Sequence, residues 1–258
     1  MEYNVTEVIL CATQRCGSTM FIEDMRNTGV MGTPEEWFVP WSVEKQNIKW
    51  KDALASVRKR ATGDNGVMAI KVMANQLHSV EQCLATFTEA QSEGTFPRFY
   101  DAFRDAHWIK LTRHDVVAQA ISRVMSRQTG INHATANADD EHFAGNLQAG
   151  YDKTYNANAM YRYGAVLREV AAISLENLAW DRFFETHGIQ PDTFLYEDVA
   201  KDDDMTHLDA IAQMIGHDAP LTKLPRKLVK LANQRNKNWR TRFFADAAAR
   251  NFKPHKAM

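Results

Sequence analysis

Short, mostly apolar runs alternate along the chain with longer stretches in which apolar residues recur every three or four positions. Runs of this kind, with little polar alternation, are typical of parallel strands that are covered on both faces. They predict four strands, which we place at residues 8–13, 67–73, 108–112 and 193–196.

The stretches between the strands have the periodicity of amphipathic helices. Because strands and helices alternate, the pattern predicts an α/β fold with a central parallel sheet flanked by helices. The polar segment 131–153 is weakly patterned and predicts a loop or a lid-like insertion. The helices are placed at residues 19–28, 52–60, 77–91, 116–127, 155–186, 204–215 and 226–249.

Composition limits the functional classes. The 258 residues suffice for one large α/β domain or two small ones, and since no linker divides them we expect a single domain, residues 1–258. A net charge of −1 provides no attraction to nucleic acid. Three cysteines without CxxC spacing argue against a disulfide scaffold and a zinc site. The N-terminus does not resemble a signal peptide, and no apolar run approaches the ~18 residues that span a bilayer. We therefore expect a cytoplasmic protein that is not an integral membrane protein.

The segment VILCATQRCGSTMFIEDM, residues 8–25, places a tight polar turn between a strand and a helix. Backbone N–H groups and the helix dipole favour an anion at such a turn. The candidate anion ligands are Gln14, Arg15, Cys16, Gly17, Ser18 and Thr19. An electropositive loop also favours a lowered thiol pKa at Cys16, although a small spacer is the preferred role. A plain turn with Ser18 as N-cap is the alternative that involves no ligand.

The lysine of the ATP-binding motif G-x-x-x-x-G-K-[ST] is absent, because Gly17 stands directly before Ser18. The strand at 108–112 is followed by Arg113 rather than by an acid that would hold magnesium. A small-molecule kinase therefore fits poorly, but it stays an alternative, as does a non-catalytic nucleotide-binding protein.

ATQRCGST resembles the 5′-phosphosulfate loop of sulfotransferases, and more narrowly that of the bacterial group typified by trehalose 2-sulfotransferase. The resemblance implies a P-loop-like three-layer sandwich and 3′-phosphoadenosine 5′-phosphosulfate (PAPS) as cosubstrate, with no metal. It also implies that Arg15 takes the place of the lysine in the animal and plant enzymes and stabilises charge on the departing phosphate.

PAPS needs a second phosphate site, and KLTRHDVVAQAIS, residues 110–122, offers one. Arg113 lies just past a strand end, where ligands of open parallel sheets collect. The resemblance implies that Arg113 and Ser122, on the following helix, hold the 3′-phosphate. A solvated arginine and an ordinary helical serine are the alternative.

The segment TGVMGTPEEWF, residues 28–38, places two glutamates on a turn. It matches the family pattern G-x-P-x-E-x-F, which implies that Glu36 is the general base and Glu35 the weaker choice. Trp37 is an expected acceptor contact. Lys71, expected at the exposed end of its strand with its stem snorkelling, is a candidate contact for the acceptor or for the developing charge.

The segment 219–245 carries eight Lys or Arg residues and no acid. Three alternatives stay open: a solvated amphipathic helix, attachment to an anionic membrane, or a cover over the cofactor. The resemblance favours the cover, with Arg235 and Trp239 as phosphate and adenine contacts.

The acceptor is expected to be a small molecule or a glycolipid, and the family resemblance implies a carbohydrate or glycolipid hydroxyl. Its pocket is expected from residues 37–41, the insertion 131–153 and the region 151–163, whose aromatic side chains suit a sugar or an aryl ring. The oligomeric state is open, with a homodimer among the options because relatives can dimerise.

Overall fold

A computed structural model describes residues 5–251 of the chain. Strands and helices alternate through its first half, and helices dominate the second. In chain order the elements are β1 (Thr6–Ala12), α1 (Ser18–Asn27), α2 (Trp50–Ala61), β2 (Val67–Met73), α3 (Leu77–Leu84), α4 (Pro97–Ala102), β3 (His107–Thr112), α5 (Val116–Thr129), β4 (His133–Ala134), β5 (Leu147–Gln148), α6 (Tyr163–His187), β6 (Asp192–Leu195), α7 (Tyr196–Val199), α8 (Thr206–Met214) and α9 (Gln234–Asn251).

The central sheet has the strand order β2-β1-β3-β6, and every neighbouring pair is parallel. Val8 of β1 pairs with Ala69 on one side and with His107 on the other. The chain passes from β1 to one neighbour and then returns to the opposite side, so the strand order reverses at β1. The carboxyl ends of β1 and β3 therefore form the kind of crevice in which open parallel sheets bind ligands.

The α/β class and the parallel sheet are confirmed. All four predicted strands are present with bounds within two residues of those expected, and β2 has the predicted bounds. For β2 the reason is that a fully buried strand of a parallel sheet is apolar along most of its length, and every residue of β2 is buried.

Four helices are shorter than the periodicity predicted: α8 by three residues, and three others by about a turn and a half or more. The helix expected at 77–91 ends at Leu84, where the Thr86 hydroxyl donates to the Cys83 carbonyl and competes with the helical ladder. The helix expected at 155–186 begins only at Tyr163. The helix expected from residue 226 begins at Gln234, because the preceding backbone pairs with residues 134–136 as an extended chain.

The chain forms two compact units. Among the described residues, the first contains 5–114 together with Leu175–Pro225, and the second contains Asp115–Ser174 together with 226–251. The boundary falls inside α6, and the prediction of a single domain stays a prediction.

The first unit holds the parallel sheet, and aromatic side chains fill much of its core. Phe38, Phe99 and Phe103 are buried there. The indole N–H of Trp180 donates to the carbonyl of Ala12 at the end of β1, with an N···O distance of 3.0 Å. This bond ties the second half of α6 to the strand that leads into the candidate anion loop.

The second unit has its own apolar core, in which α5, the start of α6 and α9 contribute buried side chains. Within it, the insertion predicted at 131–153 is largely irregular, apart from the short parallel pair β4–β5. None of the helices within residues 5–251 is long and apolar enough to cross a bilayer.

Candidate functional site

The turn between β1 and α1 is held in a conformation that most residues avoid. Arg15 has φ 65° and Gly17 has φ 99°. The amide of Cys16 donates to the Thr13 carbonyl at 3.2 Å, which closes the turn. A left-handed non-glycine residue such as Arg15 is uncommon and is often found at ligand sites. Because α1 begins at Ser18 directly after this turn, the positive end of its dipole lies at the loop.

Gly17 is required by its surroundings as well as by its backbone angles. A Cβ atom at this position would lie 2.2 Å from Cδ2 of Tyr196, the first residue after β6. The absence of a side chain at Gly17 therefore makes room for the tyrosine ring. Tyr196, at the start of α7, is the side chain against which the loop packs.

Arg113 follows β3 and contacts the same loop. Its Nη1 donates to the carbonyl oxygen of Arg15 at 3.1 Å, and its guanidinium carbon lies 4.7 Å from the ring centre of Tyr196. Its Nε lies 3.9 Å from Oε1 of Glu197, whose Oε2 accepts from the His114 amide. The adjacent ends of β1, β3 and β6 thus bring the two predicted arginines, Arg15 and Arg113, to one edge of the sheet.

Glu36 is joined to the anion loop through Lys71. The Lys71 Nζ lies 2.9 Å from Oε1 of Glu36 and donates to Oγ1 of Thr19 at 3.1 Å. The lysine side chain is 3% exposed, whereas that of Glu36 is 30% exposed. The expectation of an exposed, snorkelling Lys71 is therefore wrong, because its buried ammonium group is paired within the protein with the partly exposed carboxylate of Glu36.

The two neighbouring glutamates have separate partners. Glu35 forms an ion pair with Arg26 at 2.7 Å, and its carbonyl accepts from the Lys71 amide. Glu36 faces Lys71 on one oxygen and receives a hydrogen bond from Nε2 of Gln76 on the other, at 3.3 Å. The arrangement favours Glu36 over Glu35 as the group that acts beside the loop.

Trp37 is anchored rather than free to swing. Its indole N–H donates to the Thr33 carbonyl at 3.0 Å, and the guanidinium carbon of Arg60 lies 4.7 Å from its ring centre. One face of the ring is thus covered by Arg60. Its expected contact with an acceptor stays a prediction.

The Cys16 side chain is 0% exposed, so protein atoms enclose its sulfur, and its predicted contact with a cofactor stays a prediction. Burial raises the pKa of this thiol, and hydrogen bonds from Thr13 and Ser18 and the charge of Lys71 only partly oppose that effect. The lowered pKa expected from the electropositive loop is therefore wrong, since desolvation outweighs the nearby positive charge. Cys16 serves the turn as a small buried spacer.

The remaining predicted cofactor residues lie in the second unit. Ser122 is half-buried on α5, and Arg235 lies in the first turn of α9, where it donates to the carbonyl of Ala159. Arg235 also lines an open pocket of about 540 Å³ formed by residues within 151–157 and 233–235. The roles predicted for Ser122 and Arg235 stay predictions.

Trp239 occupies a different environment from the one expected of an adenine contact. Its side chain is 5% exposed and packs edge-on against Tyr161, with ring centres 5.6 Å apart. It is a core residue of the second unit, which leaves little of the indole for a nucleotide. The surrounding basic side chains have partners: Arg240 pairs with Asp115 at 2.9 Å, and Arg242 lies over Tyr161.

Two residues of the site were missed from the sequence, Tyr196 and Gln76. Both follow closely after a strand of the parallel sheet, β6 and β2 respectively. That position is itself a signal, since ligands of such sheets collect beyond the carboxyl ends of the strands. Among residues 5–251, no group of three or more His, Cys, Asp or Glu side chains is arranged to hold a metal ion.

Similarity to known proteins extends over nearly the whole chain. The family model described as Stf0 sulphotransferase matches residues 7–246. Two proteins named trehalose 2-sulfotransferase, from Mycobacterium tuberculosis (strain ATCC 35801 / TMC 107 / Erdman) and Mycolicibacterium smegmatis, are each 25% identical to this chain. Each of these alignments covers 96% of this chain and 97% of the relative. A solved sulfotransferase from Alicyclobacillus acidocaldarius is 13% identical, with a TM-score of 0.47 over 96% of this chain and 94% of that one.

Proposed function

Because the chain belongs to the Stf0 sulphotransferase family, we propose that it transfers a sulfuryl group from PAPS to an acceptor hydroxyl. The observation that carries this proposal is the connection of Glu36 to Thr19 through the buried Lys71 ammonium. It joins a carboxylate suited to accept a proton to the loop suited to hold the phosphosulfate. The acceptor we propose is a carbohydrate or glycolipid, since two relatives are named for trehalose.

In the proposed reaction, the acceptor oxygen forms a bond to sulfur as the bond between sulfur and the 5′-phosphate oxygen breaks. Glu36 accepts the hydroxyl proton as the new bond forms. Arg15 and the backbone N–H groups at the start of α1 stabilise the charge that develops on the departing phosphate. The products are the sulfate ester and 3′,5′-adenosine bisphosphate, and no metal is needed in this scheme.

Arg113 is the proposed ligand of the 3′-phosphate in the first unit. It lies at the end of β3, beside the loop, and its guanidinium is held in place by the Tyr196 ring and the Arg15 carbonyl. A fixed planar cation suits phosphate recognition, because its hydrogen-bond donors are already aligned. Ser122 and Arg235 of the second unit remain candidates on the family resemblance alone.

The compartment we propose is the cytoplasm. Cys11, Cys16 and Cys83 are free thiols, which fits a reducing environment.

The test is an acceptor screen with PAPS, in which mass spectrometry detects both the sulfated product and 3′,5′-adenosine bisphosphate. Trehalose and other sugars form one arm, and ATP with magnesium replaces PAPS in a second arm to detect a kinase. We expect both products in equal amounts in the first arm and no phosphorylated sugar in the second.

Glu36→Gln tests the base, and Glu35→Gln is its matched control. Removing a general base costs about 10²–10⁴-fold in rate, so we expect that loss in Glu36→Gln with unchanged affinity for 3′,5′-adenosine bisphosphate. Full activity in Glu36→Gln would show that another group takes the proton. Equal losses in both variants would contradict the distinction between the two glutamates.

A further inference from the structure

We propose that Gln76 is a positioning residue that holds the Glu36 carboxylate in the direction in which it accepts the acceptor proton. The inference rests on the proposed function of Glu36. Gln76 ends the short 3-10 turn that directly follows β2, and its side chain is half-buried. Its Nε2 donates to Oε2 of Glu36 at 3.3 Å.

The orientation of the Gln76 amide is set by the protein backbone. Its Oε1 accepts from the amide of Met73 at 3.1 Å, which directs the NH₂ group toward Glu36. A rotated amide would place its oxygen against a carboxylate oxygen and its NH₂ group against a backbone N–H. Neither contact can form a hydrogen bond, so only one orientation satisfies both neighbours.

Each carboxylate oxygen of Glu36 therefore has its own partner, and both partners belong to β2 or to the turn that directly follows it. Lys71 on β2 contacts Oε1, and Gln76 just beyond that strand contacts Oε2. The backbone amide of Lys71 also donates to the Glu35 carbonyl, which holds the glutamate turn against β2. The ammonium group compensates the charge of the carboxylate, while the neutral amide restricts its rotation. Each carboxylate oxygen retains a lone pair for the acceptor hydroxyl.

Gln76→Glu distinguishes two roles of Gln76: positioning the Glu36 carboxylate, and accepting a hydrogen bond from the Met73 backbone amide. The new carboxylate can still accept from the Met73 amide, so that structural bond is kept. On the side that faces Glu36, the substitution replaces the hydrogen-bond donor Nε2 by a second negative charge. Because a hydrogen bond to a charged group is lost, we expect kcat to fall about 10–100-fold, with the KM for PAPS within about twofold of wild type.

The matched control is Gln82→Glu, which makes the same charge change at an exposed position on α3. We expect its kcat and KM to equal those of wild type. Gln76→Met removes both hydrogen bonds, so it should lower kcat and the urea midpoint together.

A double-mutant cycle tests the contact without any assay of activity. Gln76→Glu should lower the urea midpoint of the wild-type chain, because two carboxylates then face each other. In the Glu36→Gln background the loss should disappear, because the new amide can donate to the new carboxylate. Additive effects of the two changes would overturn the inference.

The outcomes separate this inference from the proposed function. A wild-type chain that transfers sulfate, with Glu36→Gln inactive and Gln76→Glu fully active, would overturn the role of Gln76 alone. A wild-type chain that transfers no sulfate from PAPS would overturn the proposed function. In that case the cycle still decides whether Gln76 restrains Glu36.

Discussion

The ammonium nitrogen of Lys71, a buried residue of the edge strand β2, lies 2.9 Å from a carboxylate oxygen of Glu36. A buried ammonium group is costly unless it is paired and hydrogen-bonded. The Lys71 ammonium group has a partner of each kind: it is paired with Glu36, and it donates a hydrogen bond to the hydroxyl of Thr19 at the start of α1. The contact makes the glutamate turn, β2 and the anion loop one connected unit.

Lys71→Met should reduce activity more than it reduces stability. The substitution keeps the length and apolar stem of the side chain in its buried site but removes the charge that holds Glu36. Since Glu36 is partly exposed, water can solvate it after the change, and the structural cost is limited. We expect kcat to fall by about 10²-fold or more, in line with misplacement of a general base, as measured in the sulfuryl-transfer assay.

Lys110→Met is the control for this experiment. Lys110 is also a sheet lysine paired with a carboxylate, that of Asp181, but it does not contact Glu36. Its activity should be close to wild type. Equal losses of activity in the two variants would indicate that any lysine of the sheet matters equally, which contradicts a specific role for Lys71.

Arg113→Lys should weaken recognition of the 3′-phosphate selectively. Lysine keeps the positive charge but loses the planar fork that lies on Tyr196 and reaches the Arg15 carbonyl. We expect the affinity for 3′,5′-adenosine bisphosphate to fall about 10–100-fold, corresponding to about 1.5–3 kcal/mol for a charged hydrogen bond. The affinity for AMP, which lacks the 3′-phosphate, should change little. Isothermal titration calorimetry measures both.

Arg98→Lys is the matched control, because Arg98 forms an ion pair with Glu81 rather than with a residue of the loop. It should leave both affinities unchanged. If Arg113→Lys weakened AMP and the bisphosphate by the same factor, Arg113 would support the loop as a whole and would not recognise the 3′-phosphate.

Gly17→Ala should destabilise the loop for two separable reasons. The residue has φ 99°, which costs a non-glycine residue about 1–3 kcal/mol. Its new Cβ would also collide with the Tyr196 ring, where overpacking costs about 1–3 kcal/mol more. Urea denaturation should show both costs, and titration should show weaker binding of 3′,5′-adenosine bisphosphate.

Gly66→Ala isolates the backbone cost. Gly66 has φ 80°, but a Cβ there would meet nothing within 4 Å. Its stability loss should be the smaller of the two, and nucleotide binding should be unaffected. Tyr196→Ala in the Gly17→Ala background should recover the steric part of the loss, and no recovery at all would contradict the proposed collision.

The Cys16 thiol should react slowly in the folded chain. Burial raises its pKa above the usual value of 9.0, so the reactive thiolate is scarcer in the folded state than in the unfolded one. Ellman's reagent at about pH 8 should label Cys16 slowly in buffer and fast in urea. Mass spectrometry of the peptide that contains Cys16 identifies the site, and fast labelling in buffer would contradict the burial.

The same shift gives a direction for the pH dependence of stability. The folded chain retains the thiol proton to higher pH than the unfolded chain does. The contribution of Cys16 is therefore complete below pH 9.0 and is lost as the pH rises from there toward the folded-state pKa. Cys83, whose pKa burial raises to about 11, adds a loss of the same sign. Urea midpoints measured across alkaline pH should fall accordingly.

Local pattern was sufficient for the strands and for the anion loop. A strand buried on both faces is apolar along its length, and a turn that packs against its neighbours needs glycine and small polar residues, so both leave a contiguous signal. The ends of the helices were harder to predict from the sequence. The extended backbone before α9 is stabilised by pairing with residues 134–136, almost a hundred positions earlier. The periodicity of apolar residues in a segment cannot indicate a partner so distant in the sequence.

The candidate site could be predicted only in part from the sequence. The family resemblance singled out Glu36, Lys71 and Arg113, but it did not identify the partners of these residues within the fold. The strand order β2-β1-β3-β6 brings Tyr196 against Gly17 and places Lys71 between Glu36 and Thr19. These contacts join residues 35 to 179 positions apart, and only the folded sheet, by aligning the ends of its strands, decides which of them meet.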